Sequence, residues 1–299
     1  MTNKRLNLQS PEFVGFFGKL PDRINKGDMG RVLCVCGSYE EHGAAMCGAA
    51  YFSAMAAYRC GAGIVEIFTP RKNYEALGAK VPEAVFSLYE KEENTNNLLR
   101  RLKSSLEKAD SVILGCGLGK SEIAKEIVKC VLANVRSPLL IDADGLNILS
   151  ENKELWSLLG EEQRSMTVIT PHPGEMSRLT EMSIGEILTN PQKTASDYAK
   201  EYGLVCLLKD HNTVISDGET VYINMSGNPG MATAGMGDVL SGIIGALLSR
   251  SADKKSVLEA SAAGAYLHGL AGDRAAEVVG EYSLMASDVL LQICNVIPR

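Results

Sequence analysis

The chain has 299 residues, of which 45% are hydrophobic and 22% charged, with 30 Lys+Arg against 36 Asp+Glu for a net charge of −6. These are ordinary globular proportions, and an α/β chain of this length can bury a large core as a single domain. The acidic balance argues against nonspecific binding to nucleic acid or anionic membrane, but leaves room for a phosphorylated ligand in a local pocket of opposite sign.

In chain order, residues 32–36 read as a buried strand and 43–59 as a helix rich in small residues that permit close packing. Further strands follow at 63–68, 111–114, 138–141, 166–169 and 205–208. Their apolar runs suit both faces of a parallel sheet covered by helices. Thr213–Ser216 and Thr220–Asn224 flank Asp217-Gly218-Glu219 and read as a hairpin. Helical pattern then dominates, at 237–248, 255–277 and 286–296. The whole chain, 1–299, is expected to be one doubly wound α/β domain with a mostly parallel central sheet, helices on both faces and no linker. The start, MTNKRLNLQS, lacks the apolar stretch of a signal peptide. The run 43–68 is broken by Arg59 and Glu66, so a packed helix and strand explain it better than a membrane span.

Eight cysteines form no C-x-x-C pair, which favours reduced thiols in a cytosolic protein over disulfides or zinc. The four histidines, His42, His172, His211 and His268, show no metal-ligand spacing.

The chemistry-bearing residues share a position. Gly37-Ser38, Gly115-Cys116-Gly117, Asp142 with Asp144, His172 and Lys209 each follow a predicted strand. In a parallel sheet these carboxyl ends form one edge, where such folds bind ligands. The most informative segment is 228–242, in which Gly235-Met236-Gly237-Asp238 opens a helix with an apolar face. Glycine permits positive φ and close backbone approach, and the helix start offers free N–H groups to an anion. Asp238 is open to two compatible readings, a helix cap and a base that takes a proton from a hydroxyl attacking a phosphate. Lys209-Asp210-His211-Asn212-Thr213 is either a solvated connection or a nucleotide-phosphate contact. In Thr170-Pro-His-Pro-Gly-Glu175, two prolines stiffen the turn around His172, which either touches substrate or braces the turn, and Glu175 opens a helix over 175–179. Asp142 and Asp144 are either a magnesium pair, direct or through water, or caps of the turn at 146–149.

Taken together, these segments resemble the NAD(P)H-hydrate dehydratase family, a branch of the ribokinase-like fold. The resemblance runs from Lys26-Gly27-Asp-Met-Gly30 and Gly37-Ser38 through Gly43-Ala44-Ala45, Pro82-Glu83-Ala84, Gly115-Cys-Gly117, Asp142-Ala-Asp144-Gly-Leu-Asn147 and Pro171-His-Pro-Gly-Glu175. It continues to Lys209-Asp-His-Asn-Thr213 and 228–242, covering nearly the whole chain. No epimerase segment precedes it here, so the stand-alone form is expected. The resemblance implies a hydro-lyase that uses ADP, or ATP, to dehydrate the S-epimer of NAD(P)H hydrate back to NAD(P)H by phosphorylation and phosphate elimination. The alternative within the fold is a kinase acting on a hydroxymethyl group of a small molecule. By the same resemblance Asp238 is the base, and Gly235, Met236 and Gly237 supply N–H groups to the phosphoryl. Ala44, Gly117 and His172, with Asp238, line the hydrate pocket. Lys209, Asp210, His211, Asn212, Thr213 and Gly237 bind the nucleotide. Magnesium is expected with that nucleotide, with ligands unassigned. A homotetramer, a cytoplasmic location and a functional link to a separate NAD(P)H-hydrate epimerase are also implied.

Overall fold

A strand covered on both faces must be apolar at every position, and the runs that meet this condition form the middle of the sheet. The computed structural model describes residues 2–5, 15–39, 45–90, 92–251 and 253–298. Among these residues ten strands form one sheet: β1 (Thr2–Arg5), β2 (Arg31–Val35), β3 (Ile64–Pro70), β4 (Val85–Tyr89), β5 (Ser111–Leu114), β6 (Leu139–Ile141), β7 (Thr167–Ile169), β8 (Val205–Leu208), β9 (Thr213–Ser216) and β10 (Thr220–Asn224). Their order is β1-β10-β9-β8-β7-β6-β5-β2-β3-β4. Only β9 runs against its neighbours, β8 and β10, and the other pairings are parallel. The expected hairpin is β9–β10, closed by Asp217, whose Oδ1 accepts from the N–H groups of Glu219 and Thr220.

Alternate residues of each strand feed two cores. Cys34, Ile67, Ile113, Leu140, Val168 and Leu207 face α1 (Cys47–Arg59), α10 (Met236–Leu248), α11 (Lys254–Val279) and α12 (Ala286–Val296). Leu33, Phe68, Leu114, Ile141, Ile169 and Cys206 face α3 (Thr95–Leu106), α4 (Glu122–Asn134), α5 (Asp144–Glu151) and α9 (Pro191–Tyr202). The short helices α2 (Tyr74–Leu77), α6 (Glu161–Ser165), α7 (Pro173–Thr180) and α8 (Ile184–Thr189) complete the described helices. No helix among the described residues is long and apolar enough to cross a membrane.

The strand order reverses once. The chain steps from β2 outward to β3 and β4, then returns to β5 on the other side of β2 and proceeds away from it. A crevice opens at the carboxyl ends of the two strands flanking such a reversal. Above it, α10 lies close against α1: a Cβ on Gly242 would come within 2.3 Å of the Ser53 carbonyl oxygen, so glycine sets the approach. Ser53 Oγ donates to the Asp238 carbonyl at 3.2 Å, holding the start of α10 over the crevice.

β5, β8, β9, β10 and α12 keep the expected bounds, and the other element ends that fall among the described residues differ from expectation by at most two residues. α7 starts at Pro173 rather than Glu175, because proline suits the first helical turn, where its missing N–H has no partner to lose. α10 starts at Met236 rather than Gly237, with Gly235 outside it at φ +90°. α1 is described from Cys47, and the expected start at Gly43 lies outside the described residues. β1 and β4 were not anticipated. They are short strands at the two margins of the sheet, and β4 is buried only at Tyr89.

Candidate active site

The carboxyl edge collects the polar residues that follow the strands. Beyond β6, Asp142 is buried and both its oxygens are engaged. Lys209 Nζ, just beyond β8, reaches Oδ1 at 2.9 Å, and Ser241 Oγ donates to Oδ2 at 2.9 Å. Lys209 Nζ also lies 3.9 Å from Glu175 Oε2. Burial alone disfavours the lysine's charge, but Asp142 and Glu175 outweigh it and hold the pKa above the ordinary lysine value. Glu175 is 5% exposed, and burial raises its pKa against the pull of Lys209.

The turn that delivers Asp142 is strained. Ala143 has φ +48°, where a side chain is disfavoured. A Cβ on Gly115 would approach the Asp142 carbonyl oxygen to 2.2 Å, so β5 and β6 must meet there through glycine. Asp144 is drawn into the loop instead: its Oδ2 accepts from Gly119 N at 2.8 Å and its Oδ1 from Asn147 Nδ2 at 3.3 Å. The expected Asp142–Asp144 pair is thus committed to Lys209, Ser241 and loop bonds. Among the described residues, no group of three or more His, Cys, Asp or Glu is placed to hold a metal. The donor set suits a magnesium ion carried mainly by nucleotide phosphates and water, with these two carboxylates near it.

Asp238 lies in the first turn of α10, half-buried. Its carboxyl is pushed up from 3.8 to about 7, by burial first and by the Asp142 charge second, against the lowering influence of the Cys116 thiol and Lys209. Both the cap and base readings can be judged here. The cap position belongs to Gly235, and no side chain caps this helix. The first helical hydrogen bond runs from Val239 N to Gly235 O, so the N–H groups of Met236, Gly237 and Asp238 have no intrahelical acceptor. A Cβ on Gly237 would stand 3.6 Å from both Asp142 Oδ2 and Lys209 Nζ, which places this backbone directly beside the ion pair. One half-buried carboxylate titrating near neutrality, three free N–H groups and a lysine therefore share one space. That arrangement can accept a proton from a hydroxyl while binding an anion.

His172 does brace the turn. It is the N-cap of α7, its Nδ1 accepting from Gly174 N at 3.0 Å and Glu175 N at 3.3 Å, while Glu175 Oε2 accepts from His172 N at 2.8 Å. With Nδ1 accepting, the neutral ring carries its proton on Nε2. Burial and then the Lys209 charge lower its pKa, which keeps it neutral near pH 7. Its side chain is still 51% exposed, so the ring edge remains available. Gly117, at φ +61°, lies against Met46 and Ala49 at the start of α1. Of the nucleotide run, Lys209 enters the site, Asp210, His211 and Asn212 form an exposed turn, and Thr213 starts β9. Ala44 lies outside the described residues.

Sequence reasoning left Ser241 without a role and gave Glu175 only a helix start. Ser241 sits three residues after Asp238, hence on the same helical face, and that spacing was its one available signal. Glu175 carried no signal for its approach to Lys209.

A sequence model described as NAD(P)H-hydrate dehydratase matches residues 32–295. The chain is 33% identical over 275 residues to the ADP-dependent (S)-NAD(P)H-hydrate dehydratase of Cenarchaeum symbiosum, covering 91% of this chain and 88% of that protein. It spans about half the length of the bifunctional NAD(P)H-hydrate repair enzymes it also matches. Among solved structures, a ribokinase-like superfamily protein from Enterococcus faecalis superposes with TM-score 0.82 at 28% identity, covering 99% of this chain and 95% of that one. The ADP/ATP-dependent NAD(P)H-hydrate dehydratase of Bacillus subtilis, co-crystallised with ATP and Mg2+, gives TM-score 0.75 at 25% identity, covering 94% of each chain.

Proposed function

We propose that this chain, which belongs to the NAD(P)H-hydrate dehydratase family, removes water from the S-epimer of NAD(P)H hydrate at the expense of a nucleoside diphosphate. ADP is the phosphoryl donor of choice, as the name of the Cenarchaeum relative suggests, with ATP the second candidate. The hydrate's ring hydroxyl attacks the terminal phosphoryl, displacing AMP when ADP is the donor, and Asp238 takes the hydroxyl proton. The N–H groups of Gly235, Met236 and Gly237 bind the phosphoryl oxygens, and Lys209 offsets their charge. The C–O bond then breaks, inorganic phosphate leaves with the former hydroxyl oxygen, the neighbouring ring carbon gives up a proton to solvent, and the electron pair of that C–H bond re-forms the ring double bond. Phosphate is a far weaker base than hydroxide, so elimination becomes feasible at neutral pH. Ala44, Gly117 and the neutral His172 line the hydrate pocket, and the 209–213 run meets the nucleotide. Magnesium, bound through the nucleotide near Asp142 and Asp144, supplies charge neutralisation for the phosphates. We take residues 1–299 as one ribokinase-like domain, working in the cytoplasm as a homotetramer alongside an epimerase activity.

The observation that carries this reading is the half-buried Asp238, titrating near 7 beside free helix N–H groups and the Asp142–Lys209 pair. The purified chain, given hydrated NADH and ADP, should restore the near-ultraviolet absorbance of reduced nicotinamide. No recovery with either ADP or ATP would reject the reading, and accumulation of a stable phosphorylated product would point to a kinase instead.

A further inference from the structure

A cavity of about 290 Å³ opens at the same carboxyl edge on the β2–β3–β4 side. Its walls carry Tyr39 beyond β2, Arg71 and Lys72 beyond β3, Glu90 and Glu92 beyond β4, and Glu122 at the start of α4. Its near rim is Ser38 and Leu118, the residues that follow Gly37 and Gly117. The volume suits one nucleoside rather than a whole dinucleotide. Adjacent strands lie ~4.8 Å apart, so β3 and β4 stand roughly 10–15 Å from β5 and its Gly117. A dinucleotide separates its two bases by two riboses and a diphosphate, a span of that order. The start of α1 lies between the two places: Met46 N donates to Ser38 O at 3.0 Å, Met46 packs on Gly117, and no side chain among the described residues caps the helix. A diphosphate crossing there would meet uncapped N–H groups.

We propose that this cavity holds the adenosine end of the dinucleotide hydrate and selects the form with a free 2′-hydroxyl, NADH hydrate over NADPH hydrate. The proposal rests on the dehydratase reading above. Tyr39 and Tyr89 provide aromatic walls, Tyr89 held by stacking on Phe68 with centroids 5.1 Å apart. The charges decide the selectivity. Two of the three carboxylates are already paired, Glu90 Oε1 lying 2.5 Å from Arg71 Nε and Glu122 Oε1 2.7 Å from Lys125 Nζ, and Lys72 Nζ sits 4.7 Å over the Tyr39 ring, which leaves Glu92 as the wall carboxylate with no ion pair among the described residues. Carboxylates accept hydrogen bonds from ribose hydroxyls, but repel a 2′-phosphate.

The test compares kcat/KM for NADH hydrate and NADPH hydrate at saturating ADP. The wild-type chain should favour NADH hydrate about tenfold or more, the size of one lost charged hydrogen bond. Glu90→Gln frees Arg71 and should narrow the preference by about tenfold. Ile123, which also lines the cavity, can be made to fill it, so Ile123→Trp should raise KM for NADH hydrate about tenfold with little change in kcat, as loss of uniform binding does. That effect should vanish on nicotinamide mononucleotide hydrate, which has no adenosine. A wild-type preference for NADPH hydrate overturns the proposal. So do an unmoved preference in Glu90→Gln and an unmoved KM in Ile123→Trp, and in these cases the dehydratase reading stands. Failure of the wild-type chain to turn over any hydrate removes both.

Discussion

Replacing Asp238 by Asn removes the proposed base while keeping shape and one acceptor oxygen. Loss of a positioned general base costs about a hundred- to ten-thousand-fold in rate. The same change has an opposite effect on stability. The Asp238 carboxyl titrates at about 7 in the fold against an ordinary 3.8, so the fold binds its proton more tightly than the unfolded chain does. The stability this favours is complete below pH ~4 and is lost as pH rises through about 7. At ~1.36 kcal/mol per pH unit, ionised Asp238 destabilises the fold by up to ~4 kcal/mol above pH 8, less whatever solvent screens at this half-buried site. Asp238→Asn should therefore be nearly inactive yet melt several degrees higher than wild type at pH 8, with the gain vanishing near pH 4. Turnover is measured by recovery of reduced nicotinamide, stability by thermal unfolding across pH 4 to 8. In the wild type, kcat/KM should rise with pH up to about 7 and then level. A variant retaining a tenth of wild-type turnover would refute the base role. A stability gain that is the same at pH 4 and pH 8 would refute the burial argument.

Lys209→Met leaves Asp142 and Glu175 buried without their cation, and breaking a buried pair in this way costs ~3–5 kcal/mol, seen as a marked fall in Tm together with lost activity. Gly235→Ala and Gly237→Ala should separate folding from function. The first forces a side chain to φ +90° and 2.9 Å from Phe52 and Ala286, so it lowers Tm; the second meets only ordinary contacts, so it keeps Tm but places a methyl against the phosphoryl site and raises KM for ADP. His172→Asn retains a good N-cap, so Tm should shift by less than ~0.5 kcal/mol equivalent while KM for the hydrate rises; a Tm loss with unchanged KM would make the histidine purely structural.

The carboxyl edge was legible because the central strands are mostly apolar on both faces and are followed by a glycine or a charged residue or, after β7, by Thr170-Pro171-His172. Gly235 to Asp238 could be placed on a helix start from local pattern alone. What was not legible is long-range polar pairing. Asp142 and Lys209 are 67 residues apart, and nothing near either marks the other as its partner. The two aspartates looked equivalent as Asp-Ala-Asp, but the left-handed Ala143 between them turns Asp142 to Lys209 and Ser241 and leaves Asp144 to Gly119. His172 was open to bracing or binding, and its Nδ1 bonds establish the bracing. β1 was missed because a strand at a sheet margin needs little apolar pattern, and Thr-Asn-Lys-Arg has none, whereas β4, Val-Phe-Ser-Leu-Tyr, carries a β-prone run that marks it in the sequence.

The central claim is that the hydroxyl of the hydrate leaves as phosphate. Hydrate prepared with ¹⁸O in that hydroxyl, turned over with ADP, tests it directly. The account predicts inorganic phosphate carrying one ¹⁸O for each reduced nicotinamide formed. Label appearing in water, with unlabelled phosphate, would contradict it.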